Sequence, residues 1–513
     1  NHTGWGAAIH ETHPHWLDRS EDGKIRMPGA WGVVWEDLTK LDFRDRDLWQ
    51  YMADVFLTWC HRGVDGFRCD AGYMIPVAAW SYIVSRVREE FPDTIFFLEG
   101  LGGKISVTRH ILDTANFNWA YSELFQNYDR YQVTRHLALA DDISAADGIM
   151  IHFAETHDNN RLAAVSKRYA RMRTALCALL SRAGGFAFAN GVEWFATEKI
   201  DVHGAPALNW GAGDNQVAHI RRLSSLLKNH PVFFGNTAHQ WIMAGEGNFI
   251  AVLRSRPDLK KALVVVINLD HEHEVTARWH ADPETFAGDR CIDLISGQAV
   301  DAEASGDAWQ RRLAPAEVLC LSCDPEDLSM IEASEKGFSA ESVRSSAQQL
   351  RAAALDVFSH YHGTVHIGDF DPDAAAAEMY QDPEGFCRRM NPYSEESRVV
   401  CWHWPADIRR EVMVPPGHFV LVRAPVHFRA HLVRDNRTYW TGFALSAADG
   451  GHFLLIPPMP VPADHVQSVL KMTVYEEERC VQESAPLLYL ADPAALCVNR
   501  VIQRQDLISR PFV

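Results

Sequence analysis

The sequence lacks an uninterrupted apolar stretch of about 18 residues, the minimum that a membrane-spanning helix needs. It is also poor in basic residues, because 49 lysines and arginines stand against 67 aspartates and glutamates, which gives a formal net charge of −18. A surface of this charge repels the phosphate backbone of nucleic acids. We therefore expect neither a membrane nor a nucleic acid to be a partner of this chain.

Cysteine is also scarce, with ten residues scattered over 513 positions. Cys320 and Cys323 form a CxxC pair, but no second pair or nearby histidine completes a zinc site. Reduced and mostly buried thiols are typical of proteins in a reducing compartment. The cysteine content therefore predicts a cytoplasmic protein.

Apolar residues make up 47% of the chain, enough for a large core. Short apolar runs alternate with helical patterns between residues 63 and 235, which predicts βα units and a parallel sheet. The predicted strands are Gly63–Asp70, Thr94–Gly100, Ala115–Tyr121, Ile149–Glu155 and Gly184–Gly191. Two helices stand out: one places Trp80, Ile83, Val84, Val87 and Phe91 on one face, and another runs from about Arg161 to Ala183.

The pattern changes after residue 235, and four domains are predicted. Residues 1–235 form the βα region, and 236–323 an all-β domain in which long helices are missing. Residues 324–396 contain a charged linker with helical segments. Residues 397–513 alternate short strands with turn signals, which predicts a β-sandwich-like domain.

Acidic residues follow three of the predicted strands: Asp70, Glu99 and Asp158. In a (β/α) barrel the active site lies at the carboxyl ends of the strands, so these side chains can converge. Paired carboxyl groups suit glycoside cleavage, in which one stabilises an oxocarbenium-like centre and the other protonates the leaving oxygen. Arg68 would face the same side as Asp70 and keep it ionised, whereas enclosure would raise the pKa of Glu99. Asp70 and Arg68 could instead form a structural ion pair, and Asp158 could cap a helix.

Four segments, in order, resemble the sequence blocks of the α-amylase superfamily of glycoside hydrolases. They are Asn1-His2, Gly66–Ala71, Phe97–Gly100 and His157-Asp158. One such block would be a weak signal, but four in register are specific. The resemblance covers about residues 1–323.

The resemblance implies a retaining double displacement on an α-glucan, with glycosyl transfer to water or to a sugar hydroxyl. Asp70 would be the nucleophile and Glu99 the general acid and base. Asp158 would bind the distorted sugar, supported by His2, Arg68 and His157. Tyr73 could stack on a sugar face or lie in the core. No cofactor is required, but calcium is possible because Asn1 matches a calcium ligand of many relatives, although no complete ligand set is visible.

The resemblance also implies a (β/α)8 TIM-type barrel followed by all-β domains. Only five strands are visible, so we expect an N-terminally truncated barrel that would fold poorly alone because its sheet edges are open. From residue 402 to 417 the chain is similar to the β-rich region of bacterial glycogen-debranching fusions. This similarity predicts a 4-α-glucanotransferase or α-1,4-cleaving enzyme of glycogen or starch metabolism. A general α-amylase-type hydrolase and an inactive amylase-like glucan-binding module are the alternatives.

Overall fold

The computed structural model describes most of the chain. The described residues are 1–30, 32–200, 208–209, 212–235, 237–280, 291–336, 346–363, 370–391, 400–434, 437–459, 461, 465, 467–476 and 479–491. By their contacts these residues form two compact units, of which the first contains residues 1–199 and 214–336 and the second 200–213 and 337–513. This grouping is coarser than the four predicted domains, whose boundaries stay predictions.

A five-stranded parallel sheet, here called the central sheet, organises the first unit. Its strands follow one another in chain order: Gly66–Cys69, Ile95–Leu98, Trp119–Tyr121, Ile149–Phe153 and Phe186–Ala187. The predicted parallel sheet and its five strands are therefore confirmed. The first, second and fifth strands are shorter at both ends than predicted, the third is shorter only at its start and the fourth only at its end.

The complete eight-stranded barrel is not found in the part of the chain that the structure describes. There, the first and last strands of the central sheet each pair with one neighbour, so the sheet is open. Two small antiparallel pairs lie before it in the chain: His2–Gly4 with Leu38–Lys40, and Gly29–Ala30 with Val33–Val34.

Four helices connect successive strands of the central sheet: Val77–Glu90, Ile105–Thr114, Arg130–Ala146 and Lys167–Leu179. The other helices of the first unit are Ile9–Thr12 and Arg46–His61, before the sheet in the chain, and Val217–Asn229 and Pro325–Lys336, after it. The predicted apolar face of Val77–Glu90 is buried at Trp80, Ile83, Val84 and Val87. The helix predicted from Arg161 begins only at Lys167, where the Ser166 side chain accepts the Tyr169 N–H and caps it.

The first unit continues into two antiparallel sheets. The six-stranded sheet contains Ala238–Trp241, Phe249–Arg256, Lys261–Asn268, Val318–Ser322, Cys291–Asp293 and Ala299–Val300, and the four-stranded sheet contains Met243–Ala244, Val275–Trp279, Ala308–Leu313 and Glu303–Ser305. Buried apolar side chains of both sheets, including Trp279 and Val266, form one core. Phe249–Arg256 and Lys261–Asn268 are buried almost continuously, because their side chains on one face belong to this core and those on the other face pack against the core of the central sheet.

The second unit combines helices with two further sheets. Its helices are Ser346–His362, Pro372–Gln381 and Pro383–Met390. One sheet contains Val400–His403, Val420–Ala424, His452–Ile456 and Leu445–Ser446, and the other contains Val412–Val414, Arg479–Leu490, Gln467–Glu476, Arg429–Arg434 and Arg437–Phe443. Among the helices of both units that are described, none is long and apolar enough to cross a bilayer.

Candidate active site

The first two strands of the central sheet bring Asp70 and Glu99 side by side. Cys69 pairs with Leu98 in the parallel register, and Asp70 and Glu99 are the next residues. The ladder continues past the strands, because the Glu99 N–H donates to the Cys69 carbonyl at 3.0 Å. Neighbouring strands lie about 4.8 Å apart, and paired residues project to the same face. The two carboxyl groups therefore share one face at the carboxyl edge of the sheet.

Asp70 is held by a neighbouring cation but stays open to solvent. Arg68 Nη1 donates a hydrogen bond to Asp70 Oδ1 at 2.6 Å, and 59% of the Asp70 side chain is exposed. The Arg68 guanidinium lies 5.5 Å from the centre of the Tyr121 ring, at a distance typical of a cation–π contact. The two-residue spacing places Arg68 and Asp70 on the same side, as predicted.

Glu99 lies in a different environment, with only 8% of the residue exposed. Its two carboxylate oxygens accept the backbone N–H groups of Ala71, at 2.7 Å, and Leu101, at 2.8 Å. Burial raises the pKa of Glu99; the two hydrogen bonds and Arg68 oppose this rise, while Asp70 adds a small contribution to it. The pKa of Glu99 is raised as expected from enclosure, because desolvation is the main cause and the charge of Asp70 a minor one.

The backbone after Asp70 adopts a conformation that is unusual for a residue with a side chain. Ala71 has φ 43° and ψ 38°, in the left-handed region. Such a conformation costs about 1–3 kcal/mol and persists where the surroundings hold it. Here the hydrogen bond from Ala71 to Glu99 holds it. The strained turn thereby links the two strand ends that carry Asp70 and Glu99.

His157 and Asp158 lie in the loop that follows the fourth strand. His157 Nε2 lies 3.2 Å from Asp158 Oδ2, and both side chains are exposed. Glu155, at the start of this loop, holds it through two hydrogen bonds. Glu155 Oε1 accepts a hydrogen bond from Arg161 Nε at 2.5 Å, and Glu155 Oε2 accepts one from the Leu162 N–H at 2.7 Å. Both members of this ion pair are buried. A buried pair thus supports an exposed one.

One cavity of about 770 Å³ collects most of the predicted site residues. Those that line it are Arg68, Asp70, Tyr73, Glu99, His157 and Asp158. The three predicted carboxyl groups therefore border a single space of the size that ligand pockets usually have. Tyr73 lines this cavity rather than lying in the core, and burial raises its pKa, with Glu99 and Asp70 adding to the rise.

His2 and Asn1 lie beside this cavity and are not part of its described lining. The His2 ring makes an edge contact with the Trp35 ring, with 5.8 Å between the centroids, and Trp35 does line the cavity. The Asn1 amide donates to the Ala71 carbonyl at 3.3 Å, and its oxygen contacts the His2 ring.

These contacts give no support for a calcium ion at Asn1. Its side-chain oxygen already faces the His2 imidazole. Across the residues that the structure describes, no group of three or more histidine, cysteine or acidic side chains could hold a metal. Calcium therefore remains a prediction from the resemblance, and no step of the chemistry below depends on it.

Several residues that line the cavity were not predicted as site residues: Trp35, Tyr121, Phe125, Phe153 and Glu155. Aromatic rings offer apolar faces of the kind that stack on sugars. Tyr121 and Glu155 could have been found, because each ends a predicted strand in the same way as the predicted residues do. The positions of Trp35 and Phe125 depend on tertiary packing of loops, for which the sequence has no periodic signal.

The glycine-rich segment after Glu99 packs closely against Tyr73. A Cβ at Gly103 would lie 3.0 Å from the Tyr73 ring, so the missing side chain makes room for Tyr73. Gly102 donates its N–H to Glu123 Oε1 at 2.5 Å, which fixes the segment from the other side.

Comparison with known proteins agrees with this geometry. No protein-family profile matches the chain. An α-1,4-glucan:maltose-1-phosphate maltosyltransferase of Methylacidiphilum infernorum is 23% identical over 300 residues, covering 54% of this chain and 43% of that protein. The corresponding protein of Burkholderia pseudomallei is 24% identical over 318 residues, covering 58% of this chain and 28% of that protein. Over a little more than half of its length the chain is thus similar to these maltosyltransferases, in line with the resemblance of its sequence blocks to the α-amylase superfamily.

Solved structures of α-amylase type share the fold. A maltogenic α-amylase of Thermotoga neapolitana superposes with a TM-score of 0.50 at 19% identity, covering 63% of this chain and 75% of that one. The protein Ttha1563 of Thermus thermophilus gives a TM-score of 0.50 at 18% identity, with the same coverage. The chain spans less than half the length of the two maltosyltransferases. The solved structures thus show the fold of the matched part, and the activity of this chain is a separate question.

Proposed function

We propose that this chain is a retaining enzyme that transfers or hydrolyses α-1,4-glucans through a glycosyl-enzyme intermediate. The observation that carries the proposal is the pairing of Asp70 and Glu99 at adjacent strand ends, joined through the Ala71 N–H. Retaining enzymes place their two carboxyl groups about 5–5.5 Å apart, whereas inverting enzymes need about 6.5–9.5 Å to admit a water molecule. Neighbouring strands favour the shorter distance.

The first step uses the two environments of the carboxyl groups. The Asp70 carboxylate attacks the anomeric carbon, the bond from that carbon to the leaving oxygen breaks, and Glu99 gives its proton to that oxygen. The exposed Asp70, paired with Arg68, suits a nucleophile that must be ionised. The buried Glu99, whose pKa is raised, suits an acid that must hold its proton.

The second step reverses these roles. Glu99 is now anionic and takes a proton from water or from a sugar hydroxyl, whose oxygen attacks the anomeric carbon and releases Asp70. Asp158 and His157 face the same cavity and would hold hydroxyl groups of the distorted sugar ring. The aromatic side chains that line the cavity, among them Trp35, Tyr121 and Phe125, would bind the rest of the glucan.

Transfer to a glucan is favoured over hydrolysis by the curated relatives, whose names describe a glucan transferase. A role in debranching or in glycogen and starch metabolism is the finer part of the proposal, and it rests on the similarity of residues 402–417. The substrate that binds to the chain would be an α-glucan oligosaccharide or polysaccharide, which carries no charge. An acidic chain without a membrane-spanning helix among its described residues is compatible with the cytoplasmic location predicted for such a role.

The test is to incubate the full chain with maltoheptaose, and separately with maltose 1-phosphate and an acceptor glucan. Redistribution of chain length supports glucan transfer, short sugars with new reducing ends support hydrolysis, and phosphate release supports a phosphorylated donor. Asp70→Asn and Glu99→Gln should each remove nearly all turnover while maltoheptaose still binds. The matched control is Asp54→Asn, which changes an exposed carboxylate on the helix Arg46–His61 outside the cavity.

The alternative is an inactive module that binds glucan in the same cavity. This alternative predicts tight glucan binding with no product in either incubation. Turnover that persists unchanged in Asp70→Asn or Glu99→Gln contradicts the enzymatic proposal. The two outcomes can be told apart: an inactive module gives no product even from the unchanged chain, whereas a wrong catalytic assignment gives product from both the unchanged chain and the variants.

A further inference from the structure

A second cleft lies in the first unit, away from the residues of the catalytic cavity. Its volume is about 340 Å³, within the range of small-molecule sites. We call it the arginine cleft, after the three cations among its lining residues: Arg168, Arg171 and Arg311. The first two belong to the helix Lys167–Leu179, and the third to the strand Ala308–Leu313. None of its lining residues lines the catalytic cavity.

Two of these arginines have no counterion. Arg168 and Arg171 are three residues apart on one helix and therefore share a face. Both are exposed, and among the described residues neither forms an ion pair. The chain as a whole carries a formal net charge of −18, so an uncompensated pair of arginines is a local departure from its background. An arginine fork matches the geometry of a phosphate or carboxylate.

The carboxylates of the cleft are already used by the protein itself. Asp293 accepts hydrogen bonds from the N–H groups of Ile295, Ser296 and Cys320, at 3.2, 3.0 and 2.9 Å, and from the Ser296 hydroxyl at 2.7 Å. Glu317 accepts the Ala314 N–H at 2.7 Å and pairs with Arg311, with 3.9 Å between Oε1 and Nη2. Both carboxylates are thus bound by groups other than the two arginines of the helix.

His219 supplies an independent observation. It lines the cleft and is only 6% exposed. Burial, followed by the Arg171 cation, lowers the pKa of His219 to about 3, against a hydrogen bond with the Arg171 backbone that raises it. The ring is therefore neutral, and its second nitrogen has no hydrogen-bond partner among the described residues. A buried polar atom without a partner costs about 1–3 kcal/mol. That nitrogen can accept a hydrogen bond from a sugar hydroxyl.

We propose that the arginine cleft binds a phosphorylated monosaccharide, at a site separate from the catalytic cavity. Arg168 and Arg171 would bind the phosphate oxygens. The second ring nitrogen of His219 would accept a hydrogen bond from a hydroxyl group of the sugar. Ser296 and Gln298, which also line the cleft, supply further polar groups of the kind that fix a sugar ring. The proposal does not depend on the catalytic roles assigned above.

The experiment is calorimetric titration of the full chain at constant ionic strength with glucose 6-phosphate, inorganic phosphate and glucose. Glucose 6-phosphate should bind more tightly than either of the other probes. Arg171→Ala and Arg168→Ala should each weaken its binding by about tenfold, because each removes a charge-assisted hydrogen bond. The matched control is Arg221→Ala, an exposed arginine near His219 that does not line the cleft, and it should leave binding within about twofold of the unchanged chain.

The location is tested with the Asp70→Asn variant saturated with maltoheptaose, which occupies the catalytic cavity without being consumed. Glucose 6-phosphate should bind to this complex as tightly as it binds to the unchanged chain. Loss of glucose 6-phosphate binding when maltoheptaose is present would place the ligand in the catalytic cavity and overturn the proposal. Equal affinity for glucose and glucose 6-phosphate would show that the arginines do not bind the phosphate group. Equal affinity for inorganic phosphate and glucose 6-phosphate would show that the sugar does not contribute to binding. Either result would contradict the proposal. Absence of binding by all three probes would likewise overturn it. His219→Gln, measured beside its own melting curve, checks whether the imidazole contributes to affinity in a chain that is still folded.

Discussion

At the scale of single residues, the site contrasts two carboxyl groups on adjacent strands. The Asp70 side chain is 59% exposed and bonded to Arg68, whereas Glu99 is 8% exposed and bonded to two backbone N–H groups. Because burial is costly for a charged group, the pKa of Glu99 is raised, and the two carboxyl groups lie in different environments within one cavity. This separation is what a nucleophile and an acid require of a pair of carboxyl groups.

The raised pKa of Glu99 gives a prediction about pH. Glu99 must be protonated in the first step, so activity falls as pH rises through its pKa, and this basic limb should lie above the ordinary value of 4.5. The profile of kcat/KM for maltoheptaose against pH measures it. With α-glucosyl fluoride, whose leaving group needs little protonation, the limb should weaken. A basic limb at or below 4.5 would contradict the assignment of Glu99.

The same group links pH to stability. A raised pKa means that the folded chain holds this proton more tightly than the unfolded chain does. The contribution of Glu99 to the free energy of unfolding is therefore fully present at low pH, and it is lost as pH rises through the folded-state pKa. Catalysis in the first step and local stability consequently decline over the same pH interval.

Arg68 is expected to act by positioning Asp70. Arg68→Met removes the 2.6 Å hydrogen bond to Asp70 Oδ1 and frees the carboxylate to rotate. Misplacement of a reacting group by about 1 Å can cost about 100-fold in rate, so we expect kcat to fall by that order with KM changed far less. Steady-state kinetics on maltoheptaose measures the two constants. Arg109→Met, which removes an arginine paired with Asp142 and Asp147 on the outer helices, should leave both constants unchanged.

At the scale of elements, the loop after the fourth strand depends on the buried pair of Glu155 and Arg161. Arg161→Met leaves the Glu155 carboxylate buried without its cation, and breaking such a pair costs about 3–5 kcal/mol. We expect a lower unfolding temperature and lower activity, since His157 and Asp158 lie in this loop. Thermal melts followed by circular dichroism measure the first effect. Glu155→Gln combined with Arg161→Met should recover part of the stability, because no charge is then left unpaired.

The control for this loop is an ion pair of the same chemistry on the surface. In Arg86–Glu89, 43% and 62% of the two side chains are exposed, compared with 0% and 4% for Arg161 and Glu155. Exposed pairs contribute little to stability. Arg86→Met should therefore leave the melting curve unchanged. An equal effect of the two substitutions would mean that burial is not what makes the Glu155 pair important.

The sequence predicts the elements of this site better than it predicts their boundaries and contacts. The central strands and their order follow from the alternation of apolar runs and helical patterns, which is a local signal. The helix predicted from Arg161 begins at Lys167 instead, because Arg161 and Leu162 bond to Glu155. That contact is tertiary, and the apolar periodicity of the segment does not record it. Glu99 shows the same limit, since its backbone partners depend on the turn at Ala71.

At the scale of the whole chain, each compact unit has cores of its own. The residues that line the catalytic cavity all belong to the first unit, and the cavity lies at the carboxyl edge of the central sheet. The cores of the second unit include Trp402, Met472 and Phe386. Separate cores predict separate cooperative transitions, for which a single melting temperature is not defined.

Glucan binding should therefore stabilise one transition selectively. Asp70→Asn binds maltoheptaose without consuming it, and a ligand at a hundredfold excess over its Kd stabilises the folded state by about 2.7 kcal/mol. Scanning calorimetry of this variant should resolve two transitions, of which only one moves to higher temperature as maltoheptaose is added. Maltose at the same osmolality distinguishes binding from a general solvent effect, since a shorter sugar fills less of the cavity. If both transitions rise together, or if the chain melts in one step, the two units form a single cooperative structure and the separate cores do not act independently.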